Sequence, residues 1–170
     1  LNDFIGVTAL ARQVGMLVVH PSLPVKSMKE FISLAKSRPN QIVYASSGNG
    51  SYVHLAMAMV GSMANIKMTH VPYKGISLAV TALASGEIEV VISSQAALSP
   101  QLKAGRVRAL AVTSAEPSPL FPDLPAAGKS GAPGYSYELW WGIFAPAGIT
   151  AERLAFINSA ANKVLATAEM

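Results

Sequence analysis

The feature that most constrains this chain is a unit that recurs along it: a short apolar run, a loop of small residues, then a helix with an apolar stripe. Gln41 to Ala45 is β-rich, Ser46-Ser47-Gly48-Asn49-Gly50-Ser51 is a small-residue loop, and Val53 to Met63 carries helical periodicity. Lys67 to Val71, Pro72-Tyr73-Lys74-Gly75 and Leu78 to Ala84 repeat the pattern, the helix stopping near Gly86. Glu87 to Ile92, the Ser93-Ser94 turn and Ala96 to Ala104 repeat it again, and Arg106 to Thr113 supplies a further strand. Strands spaced by helices require crossover connections, which are right-handed and cover both faces of a mostly parallel sheet. The predicted class is therefore α/β.

The flanking segments extend this plan. Val14 to His20 is an apolar strand closed by Pro21-Ser22-Leu23-Pro24. Ser27-Met28-Lys29-Glu30 has capping-box spacing, and Phe31, Leu34 and Ala35 follow at helical intervals before Pro39. From Ser114 to Gly134 the sequence turns to Pro, Ser, Gly and Ala, which predicts a long surface connection crossing between lobes. Trp140 to Phe144 is a strand, its Trp140 and Trp141 predicted to pack in a core or a lobe interface. Thr150 caps a last helix running through Leu154, Ile157, Ala161 and Leu165 to Met170.

Composition narrows the functions available. Of 170 residues, 51% are apolar and 13% charged, which excludes a disordered chain. A chain this long buries roughly 70% of its unfolded surface. It contains Cys 0, so thiol catalysis, disulfides and cysteine zinc sites are excluded. No apolar stretch approaches the ~20 residues of a spanning helix, so no membrane insertion is expected. The net charge of +4 comes from scattered Lys and Arg that form no basic stripe, which argues against nucleic acid and suits small anions. The chain opens at Leu1 without an initiator Met or a secretion signal, so the true start is expected to have been removed by processing or truncation.

In an open α/β sheet, ligands lie outside the carboxyl ends of the strands, where the three loops above gather. Ser46 to Ser51 offers glycines for close backbone approach, hydroxyls, and amides at a helix start, a set that suits a carboxylate or phosphate. The same residues also make a plain tight turn and cap. Val53 stands where a dinucleotide fingerprint needs its third glycine, and no phosphate-loop Lys-Ser or Lys-Thr follows, so neither NAD nor ATP chemistry is indicated and no cofactor is expected. The histidines are His20, His54 and His70. His54, one turn into the helix, either faces the ligand or bonds its neighbours, while His20 and His70 read as structural. Tyr73, Lys74 and Gly75 either meet an anion or form an exposed turn, and Ser93 and Ser94 either donate from the opposite rim or cap the next helix. No nucleophile elbow or carboxylate pair is present, which leaves Ser47 with His54 as the one pair an enzyme using the loop as an oxyanion or phosphate site would have. A third class, an interaction module, would show itself by dimerisation.

Several joined motifs carry a family likeness. Tyr44-Ala45-Ser46-Ser47-Gly48-Asn49-Gly50-Ser51, His54-Leu55, His70-Val71-Pro72-Tyr73-Lys74-Gly75 and Leu102 to Ser114 resemble the Bug family, the Bordetella-uptake-type, TctC-like solute receptors of tripartite tricarboxylate transporters. Phe121-Pro122-Asp123-Leu124-Pro125, Gly131-Ala132-Pro133-Gly134-Tyr135 and Trp141 to Gly148 extend the resemblance over almost the whole chain. It implies a periplasmic receptor, not an enzyme, built like a type II periplasmic binding protein from two α/β lobes with a ligand cleft between them. Such a receptor closes on a di- or tricarboxylate, an acidic amino acid or an aromatic carboxylate and delivers it to a membrane permease. By the same resemblance Ser46 to Ser51 give the second lobe's cradle, with His54 adjacent, and Tyr73 to Gly75 and Ser93-Ser94 complete its rim. Relatives often carry aspartate and asparagine where this chain has Ser93-Ser94-Gln95. Their Pro-Pro-Gly-Gly loop has no counterpart here, so the resemblance implies a fragment: residues 18–139 as one complete lobe, residues 1–17 and 140–170 as part of the other.

Overall fold

The computed structural model describes residues 2–167. The chain divides into two compact units, Val14–Glu138 and Leu1–Gln13 with Leu139–Met170. The larger holds the second half of β1 (Phe4–Val19), then β2 (Val43–Ser46), β3 (Thr69–Pro72), β4 (Val90–Ser94) and β5 (Arg108–Val112). Their order in the sheet is β3-β2-β4-β1-β5. β2 runs parallel to β3 and to β4, while β1 runs antiparallel to both β4 and β5. The strands separated by helices are thus mutually parallel, as the recurring unit requires, and β1 is inserted among them in the opposite sense.

The end of β1 shows why the sheet is covered twice. Met16, Leu17, Val18 and Val19 are all buried, the continuous apolar run of a strand with two covered faces. Successive side chains alternate between faces. Leu17 and Val19 join Phe31 of α1 (Met28–Ser37) and Ala56, Met57 and Val60 of α2 (Tyr52–Ala64). Met16 and Val18 instead join Val80 and Leu83 of α3 (Ile76–Ser85) and Leu98 of α4 (Gln95–Lys103). Local signals end the helices where expected: Ser27 Oγ accepts from the Glu30 amide, and Gly86 closes α3 in the left-handed region at φ 79°.

Three expectations need correction. β1 starts at Phe4, not Val14, because residues 4–13 are mostly exposed and lack the core pattern that marks the later half. β4 lies at Val90–Ser94 rather than beginning at Glu87, because the turn after Gly86 is longer and Ser93 and Ser94 pair with Met16 and Gly15. Ser114 to Gly134 is not purely a surface connection. Its small residues Ala126, Ala127 and Ala132 are buried, a 3-10 turn spans Ala127–Lys129, and the following Tyr135 is buried with its hydroxyl donating to the Ala56 carbonyl at 3.2 Å. Small side chains let this backbone lie close on α1 and α2.

The smaller unit contains the first half of β1, all but the first residue of its partner β6 (Glu138–Pro146), and α5 (Ala151–Leu165). Thr150 Oγ1 accepts from the Arg153 amide at 3.4 Å, and Asn158 Nδ2 donates to the Val7 carbonyl at 2.7 Å. The helix ends at Leu165, and the predicted continuation through Ala168 to Met170 lies outside the described residues. The two tryptophans do not fill a core within this unit: Trp140 is 55% and Trp141 44% exposed, Trp140 lying against Phe144 at a ring separation of 5.8 Å.

Candidate functional site

Because β2, β3, β4 and β5 are parallel, their carboxyl ends share one edge of the sheet, and with them the Ser46–Ser51 loop, the Tyr73–Gly75 loop, the Ser93-Ser94 turn and Thr113. His20 follows antiparallel β1 and falls at the other edge, bonded to Ser22. The topology therefore brings the backbone of every predicted site residue to one edge.

The loop after β2 is tied by its own side chains. Ser46 is fully buried, and its Oγ accepts from the Gly48 amide at 3.1 Å and donates to the Gly48 carbonyl at 3.0 Å. Gly48 at φ 126° and Gly50 at φ 75° occupy backbone conformations that side chains disfavour. Ser51 caps α2, its Oγ accepting from the His54 amide at 3.3 Å. His54 Nδ1 accepts from the Gly50 amide at 3.0 Å. The amides of Gly48 and Gly50 are thus engaged within the loop. Those of Ser47, Asn49, Tyr52 and Val53 donate to nothing among the described residues. They sit at the positive end of a 13-residue helix, where donors and dipole together suit an oxyanion. The Ser47 hydroxyl makes no bond to His54, so the pair an acyl-transfer enzyme would need is not joined.

His70 belongs to this cluster, against the expectation that it is merely structural. Its Nε2 lies 2.7 Å from Ser46 Oγ. Its ring stacks on His54 at 4.2 Å and on Tyr44 at 4.8 Å. Burial, then the neighbouring His54, hold its pKa below the ordinary histidine value. Strand register was the missed signal: β2 and β3 pair Tyr44 with His70 and Ser46 with Pro72, which sets His70 on the same face as Ser46.

The other predicted residues divide. Tyr73 contributes backbone, its amide donating to the Ser46 carbonyl at 3.0 Å. Its hydroxyl donates to Glu87 Oε1 at 2.8 Å, on the amino-terminal approach to β4, so the ring turns away from the strand ends. Lys74 is exposed, and Gly75 opens α3 without a side-chain cap. Ser94 Oγ accepts from the Ala97 amide at 3.4 Å and so caps α4, and Ser93 beside it is buried. Tyr52, unforeseen, projects over β1: a Cβ on Gly15 would fall 2.6 Å from its hydroxyl. Gly15 inside an apolar strand was the signal, since glycine there marks close approach by another group. Gly15 donates its amide to Thr113 Oγ1 at 2.8 Å, which completes this end of the edge.

A concavity of about 460 Å³ lies elsewhere, between the carboxyl end of α2 and β3, lined by Asn65, Ile66, Lys67 and Met68 among others. Among the described residues no group of His, Asp or Glu could hold a metal ion, and no helix is long and apolar enough to cross a membrane.

Comparison with known proteins agrees over the whole length. A family profile described as "Tripartite tricarboxylate transporter family receptor" (TctC) matches residues 1–170. The "UPF0065 protein in tcbD-tcbE intergenic region" of Pseudomonas sp. (strain P51) is 34% identical over 170 residues, 99% of this chain and 51% of that protein. The solved structure "R. palustris Rpa4515 with adipate" superposes with a TM-score of 0.84 at 35% identity, over 98% of this chain and 56% of that one. "MatC (Rpa3494) from Rhodopseudomonas palustris with bound malate" gives 0.81 at 28% identity, over 97% of this chain and 56% of that one. The chain therefore spans about half the length of these relatives. With the profile matched throughout and the fold shared with these solved relatives, the chain belongs to the TctC family of tripartite tricarboxylate transporter receptors.

Proposed function

We propose that the protein is a periplasmic solute-binding receptor that captures a small carboxylate and delivers it to the permease of a tripartite tricarboxylate transporter. In this reading residues 18–139 form one complete lobe of the receptor and residues 1–17 and 140–170 belong to the other. The ligand is a di- or tricarboxylate, an acidic amino acid or an aromatic carboxylate, and no turnover accompanies its binding. The observation that carries the reading is the Ser46–Ser51 loop with the start of α2, whose amides at Ser47, Asn49, Tyr52 and Val53 remain open, in a chain whose fold matches proteins solved with adipate and with malate. Uncharged donors held in place replace water around a carboxylate without an ion pair. Ser46, Ser47, Gly48, Asn49, Gly50, Ser51 and His54 form the cradle, and Tyr73 to Gly75 with Ser93 and Ser94 form its rim. Calorimetric titration of the full-length protein with adipate, malate, citrate, glutamate and nicotinate tests this. Binding of one or more is expected, and no heat with any of them would overturn it.

A further inference from the structure

We infer that His70 is a positioning residue of the carboxylate loop, acting on the loop's backbone through Ser46. The inference rests on the receptor reading above and names what holds its cradle in shape. The loop contains two glycines in the left-handed region, Gly48 and Gly50, so its backbone has few intrinsic restraints. Two imidazoles supply them. His54 Nδ1 accepts from the Gly50 amide, and His70 Nε2 meets Ser46 Oγ, which itself bonds both the amide and the carbonyl of Gly48. The two rings stack at 4.2 Å, inclined by 14°, and Tyr44 backs His70 from β2. The pair therefore fastens the loop at Gly48 and at Gly50 from a single stacked base.

The chemistry of Ser46 makes the link directional. Its one proton goes to the Gly48 carbonyl, leaving lone pairs for the Gly48 amide and for His70 in the tautomer that carries hydrogen on Nε2. Removing the imidazole donor frees Ser46 to rotate and releases Gly48. The amides of Ser47 and Asn49, on either side of Gly48, then lose their fixed aim. His70 itself touches no ligand in this arrangement.

The test separates the hydrogen bond from the stack. His70→Phe keeps an aromatic ring in contact with both Tyr44 and His54 but cannot reach Ser46 with a donor, whereas His70→Gln keeps a donor near the Nε2 position. In the full-length protein without ligand, the Gly48 amide of His70→Phe should exchange with solvent at least about tenfold faster than wild type, and that of His70→Gln within about threefold. Affinity for adipate or malate, whichever the wild type binds, should fall about tenfold in the first variant and recover in the second. Unchanged Gly48 exchange in His70→Phe, or equal losses in the two variants, would overturn the inference. If wild type binds no carboxylate, the receptor reading fails while Gly48 exchange still decides the role of His70.

Discussion

The two units of the chain bury their apolar side chains to very different degrees. In Val14–Glu138 each face of the sheet carries its own helices, and side chains such as Phe31, Met57, Leu83 and Ile92 are fully buried. In the other unit α5 buries none of its described residues, and Phe4, Trp140, Phe144 and Phe156 are 62%, 55%, 53% and 74% exposed. Both are built from good local signals, β6 being rich in aromatics and α5 having a Thr150 cap. Local propensity places a strand or a helix, but burial needs a second layer, and stability comes mainly from the layer.

That contrast predicts unequal responses to the same truncation. Phe31→Ala removes a ring at 0% exposure and should cost about 3–5 kcal/mol in urea unfolding of the chain. Phe156→Ala, at 74% exposure, should stay within about 0.5 kcal/mol of wild type. Comparable losses at the two sites would break the comparison.

The glycines of β1 sharpen it within one strand. A Cβ at Gly15 would meet the Tyr52 hydroxyl at 2.6 Å and Thr113 Oγ1 at 3.0 Å, whereas one at Gly6 would meet nothing within 4 Å. Gly15→Ala should destabilise by about 1–3 kcal/mol through overpacking. Gly6→Ala should be neutral or slightly stabilising, because it only reduces the freedom of the unfolded chain. Equal unfolding midpoints for the two variants would show that β1 is not tightly covered at Gly15.

How far the sequence reached follows the same division. Periodicity and caps marked α1 to α5 because those signals are local, and the crossovers then required β2 to β5 to be parallel. The antiparallel placement of β1 between β4 and β5 was not visible, since it depends on which strands meet after long connections. At the candidate site, Ser46 to Ser51 and His54 were legible as a loop and the helix turn after it. His70 and Tyr52 were not, because one reaches the loop through strand register and the other across the face of β1. The direction of the Tyr73 ring is not legible for the converse reason: a long side chain beside the loop follows its partner, Glu87, away from it.

The helix caps come next in size and separate structure from binding. Ser51→Ala and Thr150→Ala each remove a side-chain acceptor at a helix start, the amides of His54 and Arg153 losing their partners. Each should cost about 1 kcal/mol of stability. Only Ser51→Ala should also weaken carboxylate binding, read by titration calorimetry on the full-length protein. A matching loss of affinity in Thr150→Ala would remove the distinction between the units.

The smallest expected effect is a pH dependence confined to the larger unit, which holds His20, His54 and His70, while the smaller unit contains no histidine. Burial and the stacked His54 keep the His70 pKa below 6.5 in the folded protein. The unfolded chain therefore takes up this proton first as the pH falls, so stability present above pH 6.5 is lost on descent from there to the folded pKa. His70→Gln cannot take up that proton, and its unfolding midpoint should fall less between neutral and mildly acidic pH than that of wild type. Parallel profiles for the two proteins would mean that His70 is as free to charge in the fold as out of it, and that the stacked pair does not restrain it.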